Sequence, residues 1–121
     1  MFVVPCKWRE LLAPEAQERF DDVNEQRVLG ASSHIRIIGD IFLSIAENGA
    51  DDPFPLLRGI ADHFIATRGE SSQAITNAIG LMLRNVHGSS RAELAQSIRK
   101  GVECYRTEAA KALEKIRSLL W

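Results

Sequence analysis

Ser32-Ser33-His34-Ile35-Arg36-Ile37-Ile38-Gly39-Asp40-Ile41-Phe42-Leu43-Ser44-Ile45-Ala46-Glu47 is the stretch whose reading decides the fold. Ile35, Ile38, Phe42 and Ile45 recur at steps of three and four, which lines one face of a helix. Ile37, Ile41 and Leu43 widen that face. So apolar a helix needs shelter on most sides, and the spacing predicts that it sits centrally in a bundle. Asn48-Gly49 behind it supplies the residues that end helices.

Outward from this segment the helical period recurs, and no run of alternating apolar and polar residues argues for a strand. Gly and Pro cut the chain into about five helical segments. The first covers Pro14 to Val28, with proline at the first helical position where its missing N–H is harmless. Its apolar residues are few (Phe20, Val23, Val28), so it is expected on the surface, with too little apolar area to close a bundle. The third spans Pro53 to Arg68, striped by Leu56, Ile60 and Phe64. The fourth spans Ser72 to Val86, striped by Ile75, Ile79, Met82 and Val86. The fifth and longest begins at Ser90-Arg91-Ala92-Glu93, a capping-box pattern. Leu94, Ile98, Val102, Tyr105, Ala109, Ala112, Ile116 and Leu120 keep its spacing to the end. Short connections imply antiparallel neighbours. The expected fold is all-α, a single domain of about five helices over residues 1–121.

The 121 residues suit one domain with a modest core, and 45% hydrophobic with 26% charged residues is a globular balance rather than a disordered one. A net charge of -1 provides no global field for nucleic acid or an anionic membrane. Arg84, Arg91, Arg99, Lys100 and Arg106 could form a local basic side. No aromatic residues interleave with them for base stacking, so a solvated face is the better account. The longest uncharged apolar run is too short to span a bilayer, and the N-terminus does not read as a secretory signal; cytoplasmic residence is the default expectation. Cys6 and Cys104 form no CxxC pair and are expected as free thiols, with Cys104 buried and inert on the apolar side of the fifth helix.

No metal or cofactor is expected. His34, His63 and His87 lie on three separate segments without metal-ligand spacing, and there is no GxSxG, Walker loop or GxGxxG. Anion binding is the sharper possibility. Ser32 and Ser33 open one helix, Ser71 and Ser72 open another, and helix starts offer free N–H groups and partial positive charge. Arg68 ends the preceding helix and could reach the same place. The plainer reading is capping, which serine performs whatever its function. A second possibility is protein contact. Met1, Phe2, Val3, Val4 and Trp8 at one end, and Leu119, Leu120 and Trp121 at the other, would form a sticky patch unless they pack on each other.

Two motifs carry a family resemblance. One is Gly30-Ala31-Ser32-Ser33-His34-Ile35, a GAS-type turn opening an apolar helix. The other runs from Thr67-Arg68-Gly69 through Ser71-Ser72 to Asn77-Ala78-Ile79. In this order and separation they resemble the N-terminal helical domain of the translation initiation factor 2B family. That family includes regulatory alpha, beta and delta subunits, and isomerases of methylthioribose 1-phosphate and ribose 1,5-bisphosphate. The resemblance spans roughly Gln26 to Leu120. It implies a non-catalytic module that covers a nucleotide or sugar-phosphate site on a Rossmann-like partner domain, or makes regulatory protein contacts, self-association included. It implies tentative phosphate contacts from Gly30, Ala31, Ser32, Arg68, Ser71 and Ser72. It also places the family's catalytic cysteine and aspartate in a C-terminal domain outside these 121 residues. The alternative is the N-terminal part of a sugar-phosphate isomerase. Two departures concern that alternative: Leu29 stands where the isomerases carry arginine, with Arg27 two residues earlier, and Thr67-Arg68-Gly69 replaces their Thr-Arg-Pro.

Overall fold

The computed structural model describes residues 6–48, 53–68, 72–88 and 90–119. Among them a short 3-10 turn, Lys7–Leu11, precedes α1 (Pro14–Asn24), α2 (Ala31–Asn48), α3 (Pro53–Thr67), α4 (Gln73–Leu83) and α5 (Arg91–Leu119). No strand occurs among the described residues. The fold is an all-α bundle with a long C-terminal helix, as the glycine-bounded stripes require.

α2 is central. Ile38, Ile41, Phe42 and Ile45 are almost fully covered, and α1, α4 and α5 pack around them. Burying side chains of this size stabilises by about 1.5–3 kcal/mol each. α5 runs antiparallel to α2, since Gly39 faces Val102 and Arg106 while Ser32 shares a cleft with Ala109. Arg19 of α1 reaches Asp40 at 4.0 Å, and Arg106 of α5 reaches Asp40 at 2.9 Å and the Arg36 carbonyl at 3.1 Å. α4 and α5 also run antiparallel, since Ser97 bonds both the N–H and the carbonyl of His87. Their axes approach closely at Gly101, where a Cβ would collide with the Met82 carbonyl oxygen.

α1 departs from expectation. It is not a surface helix: Ala16, Phe20 and Val23 are buried, and Phe20 packs on Phe64 with ring centroids 5.1 Å apart. Three positions at steps of four and three suffice, because one aromatic ring buries a large area and Ala16 lets the neighbour approach. α1 also ends early, at Asn24 rather than Val28. Gln26 takes a left-handed φ of 56°, and the N–H groups of Arg27 and Val28 turn back to the Asp22 carbonyl. Such a turn closes the helix and satisfies its last carbonyls. α4 likewise stops at Leu83, short of Val86.

The 3-10 turn is held on both sides. The Arg9 guanidinium donates to both Asp21 carboxylate oxygens at 2.7 Å, a bidentate fork that holds Asp21 below the usual carboxylate range. Trp8 is half-buried against Gly59 of α3 and so does not form an exposed patch. Met1 to Val4, Leu120, Trp121 and the Leu119 side chain lie outside the described residues.

At α5, Ser90 caps the start by accepting from the Glu93 N–H at 3.3 Å. Ala95, Ile98 and Val102 are buried, and Tyr105 is partly so. Cys104 is exposed, against the expectation that it would be buried, because the covered seam runs 95-98-102 and position 104 lies off it. From Thr107 to Lys115 every residue is exposed. No helix of the protein is long and apolar enough to cross a membrane, among the described residues.

Candidate functional site

Hydrogen bonds tie the end of α1 to the end of α3 at Asn24, the turn after α1 to the start of α2 through His34, and the start of α4 to the end of α3 through Ser72 and Arg68. The sequence-derived candidates Gly30, Ala31, Ser32, Arg68 and Ser72 all lie at these junctions; Ser71 lies outside the described residues. At the start of α2, Gly30 has φ 98°, a left-handed conformation that glycine adopts without penalty. Its carbonyl accepts the first helical bond from the His34 N–H at 3.0 Å. His34 is buried, and its Nε2–H donates to the Val28 carbonyl at 2.6 Å. That histidine therefore braces the loop entering α2. Ala31 is half-buried beside it and Ser32 is exposed.

Arg68 and Ser72 are engaged differently. Arg68 Nη2 donates to the Asn24 carbonyl at 2.7 Å, covering the C-terminal end of α1 where the helix is electron-rich. The Ser72 N–H donates to the Arg68 carbonyl at 3.1 Å. Ser72 occupies the N-cap position of α4, but its hydroxyl makes no capping bond. His63 completes this corner: its ring N–H donates to Asn24 Oδ1 at 2.8 Å, and its ring packs on Phe20 at 5.2 Å. Burial, with Arg68 nearby, pushes the His63 pKa below its ordinary value. The corner is thus a polar clasp joining α1 to α3. Arg27, the other arginine near the turn, pairs with Glu25 at 3.0 Å.

Ser32 lines a cleft of about 370 Å³ with Ile35, Arg36, Met82, Tyr105 and Arg106. Neither Arg68 nor Ser72 lines it. The α2 turn therefore borders this cleft and the α3–α4 junction does not. A second cleft, about 390 Å³, lies on the other side of Tyr105 between α4 and α5. Its Arg84 and Lys100 were legible in sequence only as members of a basic side. The missing signal was pairing: the short link after α4 forces an antiparallel return, which sets residue 84 opposite 100.

Among the described residues, no group of three or more His, Cys, Asp and Glu is placed to hold a metal ion. The described side chains offer anion-binding donors and apolar contact surface. Compared with known proteins, the chain matches no family model, no curated protein and no solved structure.

Proposed function

We propose that this chain is a non-catalytic helical module in the manner of the initiation factor 2B N-terminal domain. It works by protein contact, either covering a nucleotide or sugar-phosphate site on a Rossmann-like partner domain or docking a regulatory partner. The outer half of α5 is the contact element. One observation carries this reading: Ala109, Ala112 and Leu113 stand exposed on a helix that has outrun its own bundle, with Leu113 at 53% exposure. An amphipathic helix gains most of its stability by burying its apolar face, so a bare apolar stripe signals an absent neighbour.

The isomerase alternative would have Arg68 hold substrate phosphate. Its Nη2 is already committed to the Asn24 carbonyl, and Leu29 is 73% exposed where that reading wants a cation. These contacts favour the non-catalytic reading.

A photo-crosslinking side chain placed at Leu113, and separately at Arg58 of α3, tests the assignment in the native host. The reading requires a discrete adduct from Leu113, formed with a protein containing a Rossmann-like domain, and none from Arg58. Adducts from Arg58 alone, or from neither position, contradict it.

A further inference from the structure

The α4–α5 cleft is a polarised groove. Arg84, His87, Ser97 and Lys100 line one end, Glu108 lines the other, and Tyr105 lies between. Lys100 and Glu108 are eight positions apart on one helix, about 12 Å along its axis. Gly101 makes the groove: the close approach of α4 and α5 there brings Arg84, just past α4, and Lys100 of α5 into one cleft.

Charge pattern and placement together set these two cations apart. Arg9, Arg19, Arg27, Arg58, Arg106 and Lys111 each lie within 4.0 Å of a carboxylate. Among the described residues, Arg84 and Lys100 have no carboxylate within that reach, and neither do Lys7, Arg36 and Arg99; of these five, Arg84 and Lys100 alone line this cleft. Two like charges facing one recess repel unless an anion lies between them. Ser97 is occupied in holding the His87 backbone, so the anion's donors are the two cations, with His87 lining the same cleft. At the far end Glu108 repels an anion and accepts from hydroxyl or amino groups. A volume near 390 Å³ is at the small-ligand end of the range for binding pockets.

We propose that this groove binds a small phosphate monoester. The phosphate sits between Arg84 and Lys100, and the hydroxyl-bearing remainder runs along Tyr105 toward Glu108. The site is separate from the Gly30 turn and from Arg68.

The test is a titration of the full chain, followed by backbone NMR, with ribose 5-phosphate and with inorganic phosphate as probes. Saturable shifts are expected at Arg84, His87, Lys100 and Tyr105, with the ester binding more tightly than free phosphate. R84Q and K100Q should each weaken ester binding about tenfold or more. R99Q, an exposed neighbour outside the groove, should leave it unchanged. Lack of saturation in the unsubstituted chain at about 10 mM ester overturns the site. So do shifts that R84Q and K100Q leave intact, or shifts spread equally over Arg27, Arg58 and Arg99. Equal affinity for the two probes overturns the role given to the Glu108 end.

Discussion

Within α5, Ala95, Ile98 and Val102 are buried against α2 and α4, whereas Ala109, Ala112 and Leu113 are exposed. Both halves keep helical spacing, and both carry apolar residues on that stripe. They differ in what lies opposite. Ala109 comes level with Ser32, in the first turn of α2, and beyond Ser32 the central helix has almost no further length to offer. Periodicity therefore sets which face of a helix is apolar, while the length of its neighbours sets how much of that face is covered. Among the described residues, none covers the outer half.

Breaking the inner seam should be costly. Ile98→Ala removes a fully buried side chain and should destabilise the fold by about 2–5 kcal/mol in chemical denaturation. Gly101→Ala attacks the same seam through the backbone. Its methyl group would meet the Met82 carbonyl, so α4 and α5 must part, at about 1–3 kcal/mol. Ser90→Ala removes the cap at the start of the helix and should cost about 1 kcal/mol, seen as a lower Tm.

The α1–α3 clasp provides a pH-dependent contrast to α5. The His63 pKa is depressed, so its neutral form is the one the fold holds. In the unfolded chain the ring protonates near 6.5, while in the folded chain protonation is delayed to lower pH. Its contribution to stability is therefore complete above about pH 6.5 and is lost as pH falls below it. A His63→Gln variant should show a flatter fall of Tm between about pH 7 and 5. Arg9 and Asp21 act lower on the scale, since the depressed Asp21 loses its stabilising charge only below the ordinary carboxylate range. The smallest effect belongs to the outer half: Leu113→Ala should change stability by less than about 0.5 kcal/mol. The same substitution should weaken contact with a partner, so denaturation and crosslinking will separate.

Much of the fold was legible in the residues. The 35-38-42-45 stripe gave the central helix, and Gly30, Asn48-Gly49 and the Ser90 cap gave boundaries near those observed. Counting apolar residues misjudged α1, because Phe20 buries against two rings of α3 that lie 43 and 44 positions away. The end of α1 was misplaced because a left-handed Gln26, rather than Gly30, turns the chain. Site residues were less legible. Arg68 at the end of a helix reads equally as a ligand cation or a brace, and only the position of the Asn24 carbonyl distinguishes them. The groove at Arg84 and Lys100 depends on how α4 and α5 are set against each other, which local spacing does not encode.

Residue-resolved hydrogen exchange along α5 in the isolated chain tests the central claim most directly. Amides from Ala95 to Val102 should exchange only through global unfolding, while those from Thr107 to Lys115 should exchange through local fraying, orders of magnitude faster. Equal protection along the whole helix would show the outer half already covered, and would contradict a partner-seeking α5.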